Sequence, residues 1–179
     1  VLGDEKYIKT AKRCAEFIWA QQWKDGKLYR IYKDGKTSII GCLEDYAYFL
    51  EALITLYEAS MQSEWIVRAN RLADAMIEDF WDEKEGGFFL SGKSGEQLIS
   101  KLKNPSDEAM TSANAIAAMA LLKLGRLTGK KIYLEKSKET VKAFLGFIEI
   151  SPAAYTGLLS TASASSLYPT EAIFVGIKD

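Results

Sequence analysis

Residues 41–60, GCLEDYAYFLEALITLYEAS, are apolar almost all the way round a helix, yet the first turn carries two adjacent carboxylates, Glu44 and Asp45. Leu43, Tyr46, Ala47, Leu50, Leu53, Ile54 and Tyr57 recur at helical spacing, and Tyr48, Phe49 and Leu56 fill much of the opposite side. A helix of this kind must be surrounded by protein. Beyond its first turn the only charges are Glu51 and Glu58, so the two acids at its start call for a structural or a chemical explanation.

The helix belongs to a repeat. YIKTAKRCAEFIW from Tyr7, WIVRANRLADAMI from Trp65 and YLEKSKETVKAFL from Tyr133 align without gaps, each as an amphipathic helix. A helix of different character follows each: Leu43 to Glu58, roughly Glu108 to Leu127, and roughly Ala153 to Leu167. These are apolar or small on nearly every face. The unit is therefore a hairpin of one exposed and one buried helix. Such units hide their apolar faces only by stacking, which predicts an outer ring of amphipathic helices around an inner ring of buried ones. The predicted fold is all-α, about three of the six hairpins of an α/α toroid over residues 1–170, with an unpaired strand in the tail 171–179. An open α-solenoid is the competitor, although its repeats are shorter, roughly 33–47 residues.

Composition removes several functions. With 179 residues, 23 basic against 24 acidic and a net charge of −1, the chain shows no electrostatic footprint for nucleic acid or an anionic membrane. No apolar run reaches the roughly 18 residues of a membrane span, and no leader is visible at Val1, so the expected location is cytoplasmic. The absence of Met at position 1 suggests a trimmed or processed terminus. Cys14 and Cys42 lie on different predicted helices without metal-ligand spacing and read as free thiols. With no His in the chain, catalysis would rest on carboxylates, Tyr or Lys, and no cofactor or metal is implied.

The long connections from outer to inner helix, 23–41 and 81–107, both open with Trp and Asp, then Gly and aromatics; KLYRIY and GGFFL read as β-hairpin fragments. Both lead into inner-helix N-termini, where a positive macrodipole end suits carboxylates and hydroxyl-rich ligands. Glu44 and Asp45 are the candidate catalytic acids, and Tyr46, Asp107, Ser112, Asn114 and Tyr155 candidate ligand-binding groups. The repeat places Asn114 opposite Tyr46 and Ser112 opposite Glu44. Trp81 and Phe88 are candidates to stack on a sugar ring. Each has a structural alternative: first-turn acids and Asp107 can be caps, Asn114 a buried hydrogen-bonding group, and the aromatics seals for the connections. Neighbouring Glu44 and Asp45 stand about 100° apart round the helix, so they are not a facing acid pair; a second acid would come from Asp107, Glu108 or outside the chain.

Three blocks, LEDYAYFLEALITLYEAS, FWDEKEGGFFLSG and NPSDEAMTSANAIAAMALLKLGRLTG, followed by YLEKSKETV and SPAAYTGLLSTAS, carry a family resemblance over essentially the whole chain. The sequence resembles the C-terminal part of the spermatogenesis-associated, thioredoxin-domain-containing proteins. The resemblance implies a thioredoxin-like domain ahead of a six-hairpin, glycosidase-like toroid related in shape to sugar epimerases. One departure lies at Met110–Asn114, where the family shows a Pro-Ser-Gly-Asn kind of turn. The functional expectation is part of a carbohydrate-active or sugar-binding cavity, with a non-catalytic scaffolding module as the rival. An open arc whose Leu43, Tyr48, Phe49, Ile116, Met119 and Leu158 find too little cover predicts a homodimer, or an N-terminal half of the same protein covering that surface.

Overall fold

The computed structural model describes residues 5–95 and 101–167; the strand expected over 171–179 lies outside them. The element order is α1 (Glu5–Gln21), β1 (Trp23–Lys24), β2 (Lys27–Lys33), β3 (Lys36–Ile40), α2 (Leu43–Ser60), α3 (Ser63–Phe80), α4 (Ala113–Thr128), α5 (Lys131–Ala143), α6 (Leu145–Ile150), a 3-10 turn (Pro152–Ala154) and α7 (Thr156–Ser166). The amphipathic segments form α1, α3 and α5 on the outside. The apolar segments form α2, α4 and α7, of which α4 packs against both of the others. The inner helices α2 and α4 each pass to the next outer helix through a tight turn. Met61 and Gly129 hold the left-handed conformation that closes α2 and α4, and their N–H groups reach back to the Tyr57 and Gly125 carbonyls.

Burial follows the stripes. On α3, Trp65, Ala69, Leu72, Ala73, Met76 and Phe80 are all inaccessible to solvent. On α4 the small residues Ala117, Ala118 and Gly125 are equally buried, and they let neighbouring helices approach. A Cβ on Gly125 would stand 2.6 Å from Leu134 Cδ2 and 2.7 Å from its Cγ on α5. Close packing of α4 on α5 therefore depends on glycine here, although glycine inside a helix costs about 0.5–1 kcal/mol relative to alanine.

Three expectations are corrected. The second inner helix starts at Ala113, not Glu108, because Ser112 caps it; the third starts at Thr156 rather than Ala153. GGFFL contributes a single bridge, Trp81 to Phe88, whereas KLYRIY lies within β2 of a three-stranded antiparallel sheet. Nor is the arc starved of cover: Leu43 and Leu158 are inaccessible and Phe49 is 7% exposed, while Tyr48, Ile116 and Met119 are half-buried. Small residues such as Ala52, Thr55 and Ala59 occupy the exposed face of α2, so its apolar side chains are satisfied within the chain.

Among the described residues no helix is long and apolar enough to cross a membrane. Gly125→Ala is expected to lower stability by about 1–3 kcal/mol, the usual cost of overpacking a filled interface, when urea unfolding of the two proteins is compared. Equal midpoints would show that α4 and α5 separate without penalty.

Candidate functional site

Both long connections are held to the inner helices by one device. In the first, a two-residue Asp25–Gly26 turn with φ of 51° and 76° folds Trp23 opposite Leu28. The Leu28 N–H donates to the Tyr46 hydroxyl at 2.8 Å, and the Leu28 carbonyl accepts from Gly41 N at 2.7 Å. In the second, Trp81 pairs with Phe88 across a longer turn, and the Phe88 N–H donates to Asn114 Oδ1 at 2.8 Å. Asn114 Nδ2 donates back to the Phe88 carbonyl at 3.0 Å. Tyr46 and Asn114 are the repeat-equivalent residues, and each grips the peptide that faces the connection's leading Trp.

That arrangement corrects four candidates. Tyr46, Trp81, Phe88 and Asn114 are at most 2% exposed, and their polar atoms or ring faces are used inside the protein. Tyr46 packs edge-on to Phe80, and burial raises its hydroxyl pKa. Trp81 meets Phe88 edge-on, while the Lys136 ammonium lies 4.0 Å from the Trp81 ring centroid. None of them lines the cleft described below. Their neighbour Asp82 closes the same turn by accepting from Lys84 N and pairing with the buried Lys103 ammonium. Burial opposes its charge, but the hydrogen bonds from Lys103 and the two backbone amides prevail, and its pKa is lowered.

The helix N-termini are capped rather than open. Asp45 Oδ2 accepts from Cys42 N at 2.8 Å and from the Cys42 thiol at 3.3 Å, so this acid serves the start of α2. Burial, then the Asp45 charge, raises the Cys42 thiol pKa. Ser112 Oγ accepts from Ala115 N at 3.2 Å as the cap of α4. Asp107 does not cap its own following helix directly: it accepts from Ser112 N (2.8 Å), Gly157 N (2.8 Å) and Thr156 Oγ1 (2.9 Å), joining the starts of α4 and α7. Desolvation works against its charge, yet the bonds from Gly157, Ser112 and Thr156 lower its pKa. Tyr155 is half-buried at the start of α7, its ring 6.4 Å from that of Phe147, between two residues, Ala154 and Thr156, that hydrogen-bond to Asp107.

One cleft of about 720 Å³ opens at this end of the arc. Its walls are Ile18 of α1, Gln22 just past that helix, Leu28, Tyr29 and Arg30 of β2, the first turns of α2, Leu90, and the 104–113 connection. Of the sequence candidates it brings together Glu44, Asp45 and Ser112; Tyr46, Asp107, Asn114, Trp81, Phe88 and Tyr155 are not in its lining. The Glu44 side chain is 56% exposed, with Arg30 Nη2 at 3.8 Å from its carboxylate. Arg30 Nε lies 3.7 Å from Asp45 Oδ1. The cleft is also lined by Glu108 and Asn104, whose amide donates to the Glu108 carboxylate at 3.3 Å. Tyr48 spans the floor and donates to the Thr111 carbonyl at 2.7 Å. Arg30 and Tyr48 carry no signal in a linear reading, since β2 and the Thr111 turn must fold before either faces the acids.

No family model matches the chain. Curated sequences do match. The chain is 35% identical over 92% of its length to rat spermatogenesis-associated protein 20, and 34% identical over 92% to the human protein of that name. This chain is similar to part of spermatogenesis-associated protein 20. It spans 22% of the length of each of those relatives. Among solved structures it superposes on a GH76 α-mannanase of Bacteroides thetaiotaomicron with a TM-score of 0.68 at 14% identity, covering 89% of this chain and 45% of the mannanase. A D-mannose isomerase gives 0.64 at 18% identity, covering 81% of this chain and 38% of the isomerase. The cellobiose 2-epimerase of Spirochaeta thermophila gives 0.61 at 18% identity, with coverage of 80% and 38%. The architecture is thus that of α/α toroid proteins, of which these helices form part.

Two outcomes follow from the buried contacts. Asn114→Ala leaves the Phe88 N–H and carbonyl without partners at an expected cost of at least about 2 kcal/mol, and Tyr46→Phe strands one N–H for about 1–3 kcal/mol; chemical denaturation of each variant measures both. For Asp107, the folded pKa lies below the unfolded value of about 3.9, so its stabilisation is present above that value and is lost as pH falls through the folded pKa. The stability difference between the protein and Asp107→Asn should therefore hold steady from neutral pH down to about 5 and shrink below about 4.

Proposed function

We propose that the cleft at the inner-helix N-termini binds a carbohydrate or sugar-like molecule, as part of a toroid domain that acts on sugars. The observation that carries this reading is the contrast among the carboxylates. Asp45 and Asp107 are spent on helix starts, whereas Glu44 lines the cleft beside a guanidinium and Glu108 lines it from the 104–113 connection. Glu44 is the group suited to proton transfer, and Glu108 the second acid that a two-carboxylate mechanism requires. Arg30 and Asn104 supply donors to ring hydroxyls, and Tyr48 with Phe49 offers apolar surface for a sugar face. The mannanase, isomerase and epimerase that share the architecture support the substrate class through their names. Fold likeness alone does not transfer their chemistry.

A scaffolding role without catalysis has one observation in its favour: most polar groups near the helix starts are already bonded within the chain. Saturation-transfer NMR with mannose, glucose and cellobiose, on this chain and on a longer polypeptide that carries it, separates the readings. Binding is expected to weaken about tenfold or more in Arg30→Ala, the loss of roughly one charge-assisted hydrogen bond at 1.5–3 kcal/mol. Glu44→Gln is expected to keep binding while abolishing turnover. Absence of sugar binding in both polypeptides would reject the proposal, and binding with turnover untouched by Glu44→Gln and Glu108→Gln would remove the acids from it.

A further inference from the structure

The outer helices repeat their contacts position by position, except on one face of α1. Tyr7, Ala11, Cys14, Ala15 and Ile18 occupy the repeat positions of Trp65, Ala69, Leu72, Ala73 and Met76 on α3, and of Tyr133, Ser137, Thr140 and Val141 on α5 with Phe144 just past its end. All five are buried in each of these sets. On α1 only Ala15 is buried: Tyr7 is 52% exposed, Ala11 and Cys14 are exposed, and Ile18 is half-buried.

What chiefly covers this stripe elsewhere is the inner helix that precedes the outer one, joined at Tyr133 by the neighbouring outer helix α3, whose Asp74 accepts from the Tyr133 hydroxyl at 2.6 Å. α2 packs on α3 and α4 packs on α5. The contact is explicit at the Ala11 position, where its counterpart Ser137 donates to the Ala118 carbonyl of α4 at 2.7 Å. At Tyr7's position, Trp65 and Tyr133 follow the turn out of the inner helix by the same count of residues: Met61 and Gly129 lie four positions ahead of them, as Gly3 lies four ahead of Tyr7 in the sequence. A groove of about 760 Å³ runs along α1 beside Thr10, Cys14, Phe17 and Ile18. The chain spans 22% of the rat relative and 38–45% of the three solved toroids above, so those proteins carry further polypeptide beyond the matched part.

We infer that the Tyr7–Ala11–Cys14–Ile18 face of α1 seats a further inner-type helix, apolar and rich in small residues, supplied by polypeptide on the N-terminal side of this segment. A residue larger than Ala or Ser at position 11 would hold the two backbones apart, because the equivalent contact on α5 is between a side-chain hydroxyl and a helix carbonyl. This inference does not rest on the sugar reading; the α1 face and the cleft share Ile18 at their edge.

Maleimide modification of Cys14, followed by peptide mass mapping, tests it; the half-buried Cys42 serves as an internal reference. In the 179-residue chain at low micromolar concentration, Cys14 should react as an exposed thiol. In the same chain carried by its N-terminally extended polypeptide, it should react at least about tenfold more slowly, the slowing expected when a local opening of about 1.4 kcal/mol must precede reaction. Ala11→Arg should leave the melting temperature of the 179-residue chain unchanged and lower that of the extended one. Equal Cys14 rates in the two polypeptides would overturn the inference. So would protection that appears in the 179-residue chain alone and grows with its concentration, since a second copy would then be the occupant.

Discussion

A buried peptide group must be hydrogen-bonded, and the long connections here meet that demand through one side chain projecting from the inner helix that follows each. Tyr46 receives the Leu28 N–H, and Asn114 both receives the Phe88 N–H and donates to its carbonyl. Without such a bond each connection would bury an unsatisfied amide at a cost of about 1–3 kcal/mol. With it, the Trp23 and Trp81 ends of the connections are fixed against the core, and β2 and the 104–113 segment both line the cleft. The two solutions differ in chemistry but not in position. A tyrosine needs Gly41 to satisfy the carbonyl, whereas the asparagine amide satisfies both halves of the peptide alone.

The same economy explains the electrostatics of the helix starts. Asp45 and Asp107 stand where a macrodipole favours negative charge, and both are occupied by backbone N–H groups. Asp107 also ties the start of α7 to that of α4, where a Cβ on Gly157 would stand 2.5 Å from Thr111 Cγ2. The charged and amide groups left lining the cleft are correspondingly sparse: Glu44 beside Arg30, and Asn104 with Glu108.

The helices and their repeat are legible in the sequence because amphipathic spacing and tight helix-to-helix turns are local signals. Trp65 and Tyr133 align, and so do the turns at Met61 and Gly129. The start of α4 was harder to read, since Glu108 to Thr111 have helical neighbours while Ser112 holds the cap. Asp-Gly at 25–26 and 34–35 marks both hairpin turns of the sheet, a short-range signal for β1 and β3 that aromatic runs alone do not provide. Of the candidate site, the equivalence of Tyr46 with Asn114 was legible but its use was not. A polar side chain in an apolar helix announces a buried partner without saying whether that partner is a ligand or the chain's own backbone.

Amide hydrogen exchange at Leu28 and Phe88 tests the central claim most directly. Both residues lie in connections, yet their N–H groups are expected to exchange within about tenfold of the slow amides of α4, because each opens only when the inner-helix grip is released. Exchange of either amide as fast as that of the exposed Glu83 backbone would contradict the claim that Tyr46 and Asn114 hold the connections in place.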